Sequence, residues 1–223
     1  MRFWLLFLAG TAAAFAQPFS FGIKGGVPLT DFFDAVHSDN FGYFSSTNRY
    51  IVGPTAELRL PFGFGIEFDA LYRHLHYTSV EPSANPLISS VTSSTESGAW
   101  EFPLLLKYRF HFPLVRPFVD GGVAWDTLSG LSQTVTQIIP VSGTITSSSN
   151  SSPSELQHST INGIVFGGGV DIHALVIHIL PEIRYTHWTS PHFAINDIGV
   201  PSTPVGSLHS TQDQFEFLVG FTI

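Results

Sequence analysis

The chain has 223 residues and a formal net charge of −8; only 12% of its residues are charged, while 21 are Phe. Low charge with so many aromatics excludes a disordered chain, and the acidic balance argues against nucleic-acid binding. With no cysteine there is neither a disulfide framework nor a Cys-type metal site.

At the start, Met1-Arg2, an apolar run from Phe3 to Phe15 and the small-residue site Ala14-Phe15-Ala16 form the pattern of a secretory signal peptide. Residues 1–16 are therefore expected to be removed, leaving residues 17–223 as one all-β domain. The apolar run is shorter than the roughly 18 to 20 residues of a spanning helix. No later run approaches that length, so any membrane insertion of the mature chain must use strands.

Period-2 alternation then predicts strands at 18–29, 49–60, 63–78, 98–110, 115–128, 161–173, 176–188 and 213–223. The connections after the second, fourth and sixth strands are short: Pro61-Phe62, residues 111–114 and Ala174-Leu175. The others are long and polar, and the longest, 129–160, carries T-I-T-S-S-S-N-S-S-P and reads as a mobile loop. Short turns at one end and long loops at the other are the layout of a transmembrane barrel, with both termini on the periplasmic side. Pro54, Pro103, Pro117 and Pro181 fall inside these strands, although a closed barrel has no free edge to excuse a missing N–H. Bulges or strand-end positions are expected there.

Within the strands the charges keep to one parity. Apart from Arg2 and Arg49, every Lys and Arg lies on a polar face: Lys24, Arg59, Arg73, Lys107, Arg109, Arg116 and Arg184. Glu57, Glu67, Asp69, Glu101, Asp120, Asp126, Asp171, Glu182 and Glu216 accompany them. In an eight-stranded barrel the interior is just wide enough to be filled by side chains, so these residues are expected to form a paired network in the lumen. A soluble lipocalin-like barrel would use the faces the other way, with charges outside and the apolar set lining a ligand cavity. The ends favour the membrane. Tyr50, Trp100, Trp125, Tyr185 and Trp188, with Tyr72 and Tyr77, fall towards the long loops. Phe19, Phe21, Phe62, Phe64, Phe110, Phe112, Phe118 and Phe221 fall towards the short turns. Two aromatic girdles are what two membrane interfaces select.

The last strand, F-E-F-L-V-G-F-T-I, sets Phe215, Phe217, Val219, Phe221 and Ile223 on one face, and it resembles the terminal strand of bacterial outer-membrane barrels. Together with G-F-G-I-E-F-D-A-L-Y from Gly63, E-F-P-L-L-L-K-Y-R-F from Glu101 and R-P-F-V-D-G-G-V-A from Arg116, the chain resembles the outer membrane protein β-barrel domain family, related to the OmpA transmembrane domain and OmpX. The resemblance implies an eight-stranded, antiparallel, up-and-down transmembrane β-barrel in the bacterial outer membrane. It also implies a last strand read by the assembly machinery and no catalytic residues.

Other chemistry is thinly represented. His74 and His76 share one strand face, but two ligands are too few for a metal site. Lipid A deacylases of the outer membrane use a His-x-Ser pair with an acid; the nearest match is His187-Trp188-Thr189, with Thr where Ser is needed and no carboxylate assignable beside it. Asp31, Asp34, Asp39, Glu81, Glu96, Glu155, Asp197 and Asp213 leave the long-loop end acidic, with Arg49 opposing. Divalent-cation bridging to lipopolysaccharide is one use of such a surface. The expectation is a monomeric, non-enzymatic structural or surface-interaction protein without cofactor or metal. Its partners would be outer-membrane lipid, lipopolysaccharide and the assembly machinery, with no nucleic acid and an unidentified extracellular partner. A narrow pore and a lipid A-modifying enzyme are the alternatives.

Overall fold

The computed structural model describes residues 18–35, 42–45, 50–81, 90–112, 115–139, 144–150, 156–174, 176–193 and 208–223. The expected signal peptide and its cleavage point, the turn residues 113–114 and 175, and Arg49, Asp39, Glu155 and Asp197 lie outside them.

Strands β1 (Phe19–Pro28), β2 (Ile51–Arg59), β3 (Phe64–Asp69, continued by Leu71–Glu81), β4 (Ser90–Arg109), β5 (Val115–Ile139), β6 (Thr160–Ala174), β7 (Ile177–Trp188) and β8 (Asp213–Thr222) each pair antiparallel with the next. The last returns to the first, with Gly22 opposite Thr222 and Val27 opposite Phe217. Each of the eight strands is thereby paired on both sides, which is how a barrel escapes the unpaired backbone of an open sheet. Beyond the ladder, Ile223 N–H donates to the Phe21 carbonyl at 3.0 Å and the Ser20 hydroxyl donates to the Ile223 carbonyl at 2.9 Å, so the final residue is part of the seam.

The seam depends on residues without side chains. A Cβ on Gly22 would sit 1.9 Å from the Phe221 carbonyl oxygen, whereas at Gly25 the nearest atom is 3.5 Å away. We expect Gly22→Ala to destabilise the closed barrel by about 1–3 kcal/mol, an overpacking cost, and Gly25→Ala to be close to neutral. Unfolding titrations of the two variants check this; equal stabilities would mean that the seam relaxes freely.

Side chains alternate cleanly between an exposed apolar wall and a buried interior, as in β8, where Phe215, Phe217 and Phe221 face out while Gln214, Glu216 and Leu218 are buried. The lipocalin-like arrangement is therefore inverted: charges are inside and Ile, Val and Phe are outside. The prolines do this without bulges. Pro54 and Pro103 flank the break at Ala70 on its two neighbouring strands, and register on both sides is continuous across it. Ala70 N–H still reaches the Pro54 carbonyl at 3.0 Å. Pro181 similarly interrupts the β6–β7 ladder between the Gly169–Glu182 and Ile172–Ile179 pairs while keeping its place opposite Val219. A proline removes a ladder hydrogen bond, so the strand loses a rung rather than gaining a residue.

The register shift that does occur lies higher, between Glu96 and Gly98, opposite Gly130 at φ 64°. Below it Ala124, Asp126 and Leu128 point inward; above it Gln133 does. This is the behaviour of a bulge whose extra residue needs a left-handed backbone. Above the bulge the expected loop is largely strand. β4 has 20 residues and β5 has 25, well beyond the roughly 9–11 that cross a membrane. Thr144–Asn150 adds to the β5 edge, with Gln133 opposite Asn150. Residues 145–150 of the Ser/Thr run are exposed, as its composition suggests, but backbone pairing gives Thr144–Asn150 regular structure. Gly42–Ser45 pairs with upper β3, and Phe33–Ala35 with Leu208–Ser210.

Candidate functional site

The interior is a column of ion pairs in three levels. At the short-turn end, Arg109 is gripped by both oxygens of Glu57 and donates from Nε to Asp171 at 3.1 Å, and the other Asp171 oxygen lies 2.7 Å from His178 Nδ1. At mid-height, Lys24 Nζ reaches Glu67 at 2.5 Å and Asp69 and Glu182 at 3.1 Å each. Arg184 bonds Glu182 at 2.8 Å and Asp69 at 2.9 Å, Lys107 bonds Glu67, and Asp120 stands 4.0 Å from Lys107. Towards the long loops, Arg73 donates to Asp126 at 2.5 Å and lies 3.9 Å from Glu216, which accepts from Gln214. Glu101 is buried on this level without an ion pair among the described residues. Taking charges out of water costs several kcal/mol per ion, which good geometry and multiple hydrogen bonds must offset. The mid-level works towards this by sharing, each of its cations meeting at least two carboxylates, although neither Asp120 oxygen has a hydrogen-bond partner among the described residues.

Most predicted lumen residues are buried in this column, but two are not. Arg116 is exposed and Arg59 is half-buried, both at the short-turn mouth, where Arg59 is the last residue of β2 and Arg116 the second of β5. Trp188, expected in the outer girdle, is instead 2% exposed in the lumen, where its indole N–H donates to Gln214 at 3.1 Å. Its parity with Arg184 and Glu182 already required this. Phe118 and Tyr77 are interior by the same rule, and the Phe118 ring lies 4.3 Å from Lys107 Nζ. Tyr50, Trp100, Trp125 and Tyr185 do face outward, Trp100 packing between Tyr72 and Phe102.

The sequence reading missed a cap. After β7 the chain turns inward, so that His192 and Phe193 are buried over the column. His192 Nε2 lies 3.4 Å from Asp126, its Nδ1 is 2.7 Å from the His158 carbonyl, and its backbone N–H donates to Ser210 Oγ at 2.8 Å. Phe193 packs with Leu75, Tyr77, Ala99 and Leu128, against Phe32, Leu131 and Leu156. Leu75, Tyr77 and Leu128 on the charged parity were the available signal: apolar residues there need an apolar partner inside.

On the outer wall, Asp213 supplies the carboxylate that the sequence left unassigned, 2.7 Å from both His187 Nδ1 and the Tyr185 hydroxyl. Thr189, however, donates to the Asn162 carbonyl at 2.8 Å and to its side-chain oxygen at 3.1 Å. A nucleophile must hydrogen-bond its base, and this hydroxyl is directed elsewhere. His76 Nδ1 lies 3.5 Å from Glu96. Among the described residues no three His, Asp or Glu side chains gather as a metal site.

Residues 15–187 match the outer membrane protein beta-barrel domain family. Among solved structures, the chain is similar to OprG from Pseudomonas aeruginosa (14% identity, 92% of each chain covered, TM-score 0.47). It is also similar to Neisserial surface protein A (12% identity, 93% of this chain and 97% of that one, TM-score 0.39). A third is the N-terminal β-barrel domain of OprF from P. aeruginosa (13%, 92% and 97%, TM-score 0.33). No curated protein matches.

Proposed function

The chain belongs to the outer membrane protein beta-barrel domain family, and from that premise we propose that this outer-membrane barrel is a non-conducting, non-enzymatic structural protein whose activity lies in what its outward hairpins touch. The observation that carries the reading is the ion-paired, buried interior. Shared ion pairs fill the mid-level around Lys24, Glu67 and Arg184, and an apolar cap around Phe193 covers the long-loop end. Water and ions would have to displace both.

In this reading the girdle residues Trp100, Trp125, Tyr50 and Tyr185 set the barrel's depth among outer-membrane lipids. The acidic groups of the long-loop side meet lipopolysaccharide through divalent cations. The assembly machinery reads the strand carrying Phe215, Phe217, Val219, Phe221 and Ile223, and the barrel works as a monomer. Purified protein in planar bilayers is expected to give no discrete single-channel steps. Regular, voltage-stable steps from the wild-type chain would replace this proposal with a narrow pore.

A further inference from the structure

At the short-turn end the barrel does not simply stop. A cavity of about 260 Å³ opens between the β2–β3 turn and the foot of β4 and β5, lined by Arg59, Arg109, Arg116, His111, Phe62 and Phe110 among others. Three guanidinium groups converge there. The nearest acids, Glu57 and Asp171, are already engaged, Glu57 by Arg109 and Asp171 by Arg109 and His178. Among the described residues the Arg59 side chain has one hydrogen bond, to Ser20 Oγ at 3.2 Å, and neither Arg59 nor Arg116 has an ion pair. Every other described Lys or Arg side chain is within 4.0 Å of a carboxylate. Two guanidinium groups with free donors, beside a third, form a fork suited to phosphate oxygens.

The rim is apolar and strained. Phe62 is the one described residue other than glycine with positive φ, at 65°, and it is 85% exposed. A backbone held in that region needs a reason. Here the turn lifts the ring beyond the last paired residues, at the level where Phe19, Phe21, Phe110 and Phe112 are also exposed. A free phosphate ion has no use for such a rim. A lipid does, because its phosphate and its first methylenes lie side by side at the interface.

We propose that this mouth binds an anionic phospholipid of the periplasm-facing leaflet, with Arg59 and Arg116 donating to the phosphate and Phe62 and Phe110 lying against the glycerol and upper acyl chain. The proposal rests on the outer-membrane barrel reading. Its test is native mass spectrometry of the whole chain refolded in a neutral maltoside detergent, with phosphatidylglycerol, phosphatidylcholine or inorganic phosphate added. Wild type should retain one phosphatidylglycerol, and Arg59→Gln with Arg116→Gln should lower retention at least about tenfold, the scale of one charge-assisted hydrogen bond. Phosphatidylcholine should be retained less, and millimolar inorganic phosphate should not displace the lipid. Equal retention by the double variant, a preference for phosphatidylcholine, or displacement by phosphate overturns the site. Unheated gel migration of each sample separates the two levels of the argument: without a heat-dependent shift the barrel reading itself fails, whereas a shifted barrel without lipid preference refutes only the site.

Discussion

Arginine in place of Ile183 is expected to destabilise the protein by about 2–4 kcal/mol when it is folded into phosphatidylcholine vesicles. Ile183 sits at the middle of β7, 57% exposed, next to Arg184 of the mid-level column and opposite Phe217 of β8. A guanidinium there would have to sit in hydrocarbon near the bilayer midplane or snorkel out of it. On a barrel whose outer wall met water, the same exposed substitution would change stability by no more than about 0.5 kcal/mol. Guanidinium titrations in vesicles therefore test which solvent the apolar wall faces. A near-zero effect would show that it is not lipid.

Removing Glu67 is expected to cost still more, about 3–5 kcal/mol for Glu67→Leu, because it strands a buried cation. Lys24 would retain Asp69 and Glu182, and Arg184 the same two carboxylates. Lys107 would be left with Asp120 at 4.0 Å. The expectation follows that adding Lys107→Met to Glu67→Leu restores most of the loss, since replacing both members of a buried pair with apolar groups is often neutral or better. A double variant no more stable than the single would mean that Glu67 acts mainly through Lys24 and Arg184. Denaturant unfolding of the three proteins in one lipid decides it.

These two substitutions draw on opposite faces of the barrel wall, and both faces were legible from residue order. Alternation alone separates Ile183 from Arg184 and Phe68 from Glu67, because successive side chains in a strand must point opposite ways. Parity also sends Trp188, Phe118 and Tyr77 inward; the expectation of girdles at the interfaces hid this, since height along a strand says nothing about side. What alternation cannot supply is the cap. His192 and Phe193 belong to no periodic segment, and their burial depends on Ser210 and Leu75, which are distant in the chain. Nor could it give the pairing within the column, where Lys24 meets three carboxylates on two other strands.

Gly130 has a consequence for how such a protein can vary. The bulge separates two registers: rungs below it belong to the packed column, while rungs above it join β4 to β5, to upper β3 and, through β5, to the added strand Thr144–Asn150. Residues can be gained or lost above Gly130 without turning any buried charge towards lipid. The bulge thus uncouples the length of the upper hairpin from the facing of the buried charges below it, so that one part of the chain can change while the other keeps its register.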